Sequence, residues 1–330
     1  MRLSLFDYNL PKELIAQKPI RPRDHSRLMV LDRKTGQIEH RHFYNIAEYL
    51  KPGDVLVLND TKVFPARLIG KKETGGKIEV FLLQSINTNT WSCLLGGKGR
   101  REGLSISVSE VGQPRLLGKI VEQLPNGICH IKFNQSGAKL MTLINKLGQA
   151  PTPPYVKRLS NLKEYQTVFA KKTGSVAAPT AGFHFTKKLI NQLTRLGVQI
   201  EYVTLHVGYG TFQPVKETNI EQHKMHPEFV EVNISTHQRL SKAKKDGQRI
   251  IAVGTTSARV LESLPKKTQS TNQPIHKLTN IYIYPGYKFK FVDAMITNFH
   301  LPKSTLILLV SALAGRTKIL KAYNQAVKKR

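Results

Sequence analysis

At 330 residues and 40% hydrophobic content, the chain is long enough for two domains with proper cores and too apolar for a disordered tail. Its longest apolar run, Leu306 to Ala314, is too short for a bilayer, and Arg2, Asp7 and Pro11 interrupt any signal peptide. Cys93 and Cys129 have no metal or redox spacing and fit a reducing cytoplasm, while the net charge of +29 favours a polyanion such as RNA.

In chain order, Arg27 to Asp32 and Gln37 to Phe43 flank the turn Arg33-Lys34-Thr35-Gly36 and read as a hairpin. A short helix around Asn45 to Leu50 leads through Pro52-Gly53 into the apolar strand Asp54 to Leu58. Four polar residues, Asn59-Asp60-Thr61-Lys62, stand where that strand ends, the place where open α/β sheets keep their ligand crevice. From Arg67 to Phe133 the pattern changes to short strands separated by Gly-rich turns, which predicts a small antiparallel barrel. The Pro-rich segment Ala150 to Tyr155 marks a boundary.

Beyond it strands and helices alternate. Thr186 caps a helix ended by Gly197, and Val198 to Val207 is a strand. A charged helix from Ser235 to Lys245 precedes the strand Arg249 to Val253 and the helix Ser257 to Leu264. Strands Ile281 to Tyr284 and Ala294 to Phe299 come next, then an apolar helix from Ser304. A last helix, Thr317 to Lys328, carries Ile319, Leu320, Tyr323 and Val327 on one face that should bury against the core. The expected class is a mixed-sheet α/β domain, residues 1–64 and 152–330, with a small antiparallel β-barrel inserted at 65–151.

No glycine-rich stretch matches a dinucleotide fingerprint, because neither Gly96 to Gly99 nor Gly208 to Gly210 opens a helix. Gly254-Thr255-Thr256-Ser257 lies between strand and helix, where amides and the helix dipole favour an anion. Histidines recur at strand ends and in small-residue loops: His184 within Ser175 to Thr186, His206 before Gly208, and His300 before Pro302. Histidine serves proton transfer near neutral pH, so these positions are candidates for acid/base work. His223 and His226, three apart, lack a convincing companion ligand, and no metal site is expected.

Several blocks together resemble one family. Arg23 to Leu28, Asn59 to Arg67, Ser175 to Thr186, Thr204 to Val215, His223 to His226, Ala252 to Ser257 and Asp293 to Thr305 are similar to signature segments of the S-adenosylmethionine:tRNA ribosyltransferase-isomerases of queuosine synthesis. The resemblance implies transfer of the ribosyl part of S-adenosylmethionine to 7-aminomethyl-7-deazaguanine at the tRNA wobble position. Isomerisation then gives epoxyqueuosine, and adenine and methionine leave. S-adenosylmethionine is thus a consumed substrate, with no cofactor and no metal. The expected partners are that tRNA and S-adenosylmethionine, bound by a cytoplasmic monomer without a membrane.

The sulfonium acidifies the 5′-carbon, so a base must remove a proton there and an acid must protonate departing adenine. His184, His206 and His226 are the candidates for those tasks. Asp60 and Thr61 are expected to hold ribose hydroxyls, and Thr255, Thr256 and Arg259 the methionine carboxylate. Asn298 and His300 are expected to line the same cleft, with Arg67, Thr180 and Thr211 as further substrate contacts. The family pattern continues into an aromatic tail that this sequence does not show after Arg330. That departure and the basic surface motivate an alternative, a degenerate member that binds tRNA without catalysis.

Overall fold

The structure, a computed structural model, describes residues 1–109, 115–125, 127–153, 155–156, 161–208, 215–265 and 273–330. In chain order the strands begin with β1 (Arg27–Leu31), β2 (Ile38–His42), β3 (Val55–Asn59) and β4 (Thr61–Val63). Six more follow: β5 (Arg67–Lys72), β6 (Lys77–Ser85), β7 (Thr90–Gly96), β8 (Ser105–Val108), β9 (Leu116–Gln123) and β10 (Ile128–Phe133). Helix α1 (Gly137–Leu147), β11 (Lys172–Ser175), α2 (Lys187–Arg195), β12 (Gln199–His206), β13 (Glu228–Val232) and α3 (Ile234–Lys245) come next. The chain ends with β14 (Ile250–Val253), α4 (Gly254–Ser263), β15 (Ile275–Thr279), β16 (Ala294–Ile296), α5 (Thr305–Ala314) and α6 (Arg316–Lys329).

Two units divide these elements. One comprises Met1–Lys62, Thr167–Lys172 and Ala178–Arg330; the other comprises Val63–Gln166 and Thr173–Ala177. The second unit is the barrel: β5 to β10 close in the order β10-β7-β6-β5-β8-β9, every pairing antiparallel. Strand alternation sends Ile78, Val80 and Leu82 of β6 inward, where they meet Leu116 and Ile120 of β9 and Leu140 and Ile144 of α1. Cys93 and Cys129 are free, buried and opposite each other on β7 and β10.

The first unit is built on a six-stranded mixed sheet, order β15-β13-β12-β3-β14-β16. β12, β3, β14 and β16 run parallel, while β13 and β15 pair antiparallel at one edge. Every residue of β3 is buried, as an apolar run covered on both faces requires. Leu56 and Leu58 share a cluster with Leu189 and Leu193 of α2, and each such buried side chain contributes about 2 kcal/mol. Thr186 caps α2 by accepting from Leu189 N–H at 3.1 Å, and Gly197 follows the helix at φ +87°, a conformation that costs glycine least. Ile319, Leu320 and Tyr323 of α6 pack with Leu3, Phe6 and the α5 residues Ile307 to Val310, so the final helix is anchored as its pattern predicts.

Some expectations shift. Ile281 to Tyr284 is not a strand; β15 lies six residues earlier, and Ile283 and the tyrosines fill the core from irregular backbone. The apolar spacing there reported burial rather than ladder pairing. Helix α4 starts at Gly254, so Gly254 to Ser257 is a helical turn and not a loop. β16 is three residues long, and the segment near Asn45 is a 3-10 helix over Phe43–Tyr49.

Candidate active site

The parallel strands β12, β3, β14 and β16 point one way, so their C-terminal ends line up along one sheet edge. Asp60 and Thr61 follow β3, His206 ends β12, Thr255 and Thr256 follow β14, and Asn298 follows β16. A single amide organises the centre. Asn59 donates through Nδ2 to Leu205 C=O, and its Oδ1 accepts from the N–H groups of Leu205 and Thr61, all at 3.1 Å. Asparagine suits the position because it offers donor and acceptor on one short side chain.

This lacing fixes two polar pairs. Thr61 Oγ1 lies 2.8 Å from His206 Nδ1, and Thr204 Oγ1 donates to Asp60 Oδ1 at 2.6 Å. His206 stacks on Phe229 with centroids 5.7 Å apart and planes at 16°. Burial holds its pKa below the ordinary imidazole value, against the opposing pull of Glu231 and Asp60. Burial pushes the Asp60 carboxyl upward, partly offset by the Thr204 hydrogen bond and Lys172. Lys172 is itself ion-paired to Glu231.

A second chain of bonds runs through His184. Ser26 Oγ lies 2.7 Å from Nδ1, Asn298 Oδ1 lies 2.7 Å from Nε2, and Asn298 Nδ2 donates to Thr180 Oγ1 at 2.9 Å. An amide oxygen only accepts, so His184 carries its proton on Nε2 and leaves Nδ1 to accept from Ser26. Burial lowers its pKa and favours that neutral form. His300 is buried too, with Nε2 3.2 Å from Thr297 Oγ1, and burial alone takes its pKa down to about 4. Its N–H donates to Tyr323 of α6 at 3.2 Å and its C=O accepts from Tyr8 at 2.6 Å.

The remaining expected residues are placed unequally. Arg259 is buried and ion-paired to Glu228, while its Nε donates to Ile281 C=O at 3.3 Å. Only its second terminal nitrogen lacks a partner, so the two-pronged grip expected on a carboxylate is reduced to one nitrogen. Thr256 Oγ1 is likewise buried without a partner, and Thr255 is buried at the start of α4. His226 is exposed ahead of β13, and its neighbour His223 bonds Glu217 at 2.8 Å. Arg67 belongs to the barrel unit, where it donates to Glu79 at 2.6 Å. Thr211 lies outside the described residues. Among the described residues no group of three or more His, Cys, Asp or Glu is placed to hold a metal ion, and no helix is long and apolar enough to cross a membrane.

Sequence reasoning passed over Asn59, Thr204, Ser26, Lys172 and Glu231. The first three stood in or beside the quoted blocks, but only the sheet register shows what they touch. Glu231 lies in β13, a strand for which the sequence reading gave no element.

The sequence matches the family described as queuosine biosynthesis protein over residues 3–330. It belongs to that family. An S-adenosylmethionine:tRNA ribosyltransferase-isomerase of Acetivibrio thermocellus is 51% identical, aligned over 100% of this chain and 96% of its own. A relative of the same name from Carboxydothermus hydrogenoformans is 50% identical over the same shares. Among solved structures, the S-adenosylmethionine tRNA ribosyltransferase of Thermotoga maritima matches at 37% identity and a TM-score of 0.53, covering 98% of this chain and 95% of that one.

Proposed function

We propose that the chain transfers and isomerises the ribosyl group of S-adenosylmethionine onto 7-aminomethyl-7-deazaguanine at the wobble position of tRNA. The products are epoxyqueuosine, adenine and methionine. The observation that supports this most is the gathering of Asp60, Thr61, His206 and Asn298 at the C-terminal ends of the parallel strands, where α/β sheets bind ligands, with His184 bonded to Asn298 from the turn Thr180–His184.

Roles follow from the hydrogen bonds. His184 has both nitrogens engaged and acts best as a neutral, oriented group. His206 has its Nδ1 on Thr61, and among the described residues its Nε2 takes no bond, which leaves that nitrogen for a proton. With its pKa lowered, His206 is unprotonated at neutral pH and suits removal of the 5′-proton beside the sulfonium. Asp60 and Thr61 then hold ribose hydroxyls. Thr256 and the remaining nitrogen of Arg259 offer unspent donors for the methionine carboxylate. His226, being exposed, falls behind the other two histidines as an acid/base candidate.

The test is incubation with labelled S-adenosylmethionine and tRNA bearing the aminomethyl base. Adenine and methionine should appear together and only with that tRNA, and His206→Ala should slow turnover by roughly 10²–10⁴-fold. Formation of S-adenosylhomocysteine would sink the assignment. Binding of tRNA without adenine release would favour the degenerate, non-catalytic alternative.

A further inference from the structure

Asp60 and Thr204 also line a cavity of about 600 Å³, within the 300–1,000 Å³ usual for small-ligand pockets. Its other walls include Phe169, Lys171, Lys187 of α2 and Arg239 of α3, and Tyr202 of β12 lies on its surface. Tyr202 pairs with Leu58 of β3 but lies before the stretch of β12 that pairs with β13, and it is 38% exposed while Glu201 and Val203 beside it are buried. Phe169 braces its ring with centroids 6.1 Å apart at 54°. Gly182 makes room for that brace, since a Cβ there would sit 2.7 Å from Phe169 Cζ. The result is a supported aromatic surface facing solvent.

The charges around it are uneven. Lys172 and Arg239 are neutralised by Glu231 and Glu201. Lys171 and Lys187 are exposed and, among the described residues, make no ion pair. With Asp60 counted, the lining carries four cations, Lys171, Lys172, Lys187 and Arg239, against three carboxylates, Asp60, Glu201 and Glu231, and this net positive rim favours phosphates over a sulfonium cation. An aromatic platform flanked by cations is how single-stranded nucleic acid is held without sequence reading.

We propose that this cavity seats one nucleotide of a single-stranded RNA loop, its base stacked on Tyr202 and its phosphates on Lys171 and Lys187. The seat rests on the proposed function, in which an RNA loop is the substrate. Because Asp60 is part of the cavity lining, an RNA held there comes up against one of the strand-end residues.

The experiment measures binding of a fluorescein-labelled anticodon stem-loop RNA to the full chain, alongside S-adenosylmethionine affinity. Tyr202→Ala should weaken RNA binding about 10-fold or more, and Tyr202→Phe should keep it. The pair Lys171→Ala and Lys187→Ala should flatten the slope of log affinity against log salt by about 1.4, two single-strand phosphates' worth. S-adenosylmethionine affinity should not change in any of them. RNA affinity indifferent to Tyr202 and to both lysines overturns the proposal. So does loss of S-adenosylmethionine binding with RNA binding intact, which gives the cavity to the smaller substrate. Wild-type protein that shows these RNA effects yet releases no adenine leaves the seat standing and removes the transferase reading. Adenine release with Tyr202-independent RNA binding does the opposite.

Discussion

Asn298→Asp isolates the role of the His184 chain. The substitution keeps the oxygen that accepts from His184 Nε2 at 2.7 Å, and Thr180 can turn its hydroxyl to donate to the new oxygen. What changes is charge. In the natural protein burial lowers the His184 pKa, so the ring is neutral at pH 7. A carboxylate in bonding contact favours the imidazolium, and an opposite charge at this range raises a pKa by about 1–3 units, or roughly 1.4–4 kcal/mol. The ring nitrogen signals of His184, assigned by their loss in His184→Gln, should therefore titrate 1–3 units higher in Asn298→Asp. If the neutral ring is the working form, the acid limb of kcat/KM for adenine release moves up by the same amount while activity at high pH survives. An unchanged or lowered His184 titration would refute the hydrogen-bond assignment. A shifted titration with an unmoved rate profile would remove His184 protonation from the chemistry.

Two stability predictions use buried groups. Glu262 is fully buried and accepts from the N–H groups of Lys290, Phe291 and Val292 at 2.8–2.9 Å and from Tyr287 at 3.1 Å. Glu262→Ala orphans three amides and should cost on the order of 4 kcal/mol in urea unfolding, with Glu262→Gln costing about half; a Gln variant as stable as wild type would contradict the count. His300 keeps its proton off in the folded state down to about pH 4, whereas the unfolded ring takes one near 6.5. Stability should therefore be full above pH 6.5 and fall by about 3 kcal/mol as pH drops to 4, a loss that His300→Asn should remove; parallel pH curves for the two proteins would show that His300 is not buried neutral.

Local sequence determined much of this protein. The alternation of strand and turn residues from Arg67 to Phe133 specifies a barrel, because side-chain direction reverses at each strand residue and turns need their glycines. Polar residues after the apolar run of β3 placed Asp60 and Thr61 at the C-terminal end of that strand, and Thr186 and Gly197 bounded α2 through capping chemistry that acts within a few residues. The signature blocks named the family without any geometry. Tertiary structure decided the rest, where the partners lie far apart along the chain. Thr61 meets His206 across 145 positions and Ser26 meets His184 across 158, through a sheet order that no local pattern encodes. Arg259 reads in the sequence as a helix cation ready for a carboxylate, but folding buries it against Glu228, 31 residues earlier, and leaves one nitrogen unspent. Ile281 to Tyr284 shows the same limit: its apolar residues required burial, which irregular backbone satisfied as well as a strand would, because β13 already pairs with β12 and β15. Burial can be read residue by residue, whereas partnership is a property of the whole fold.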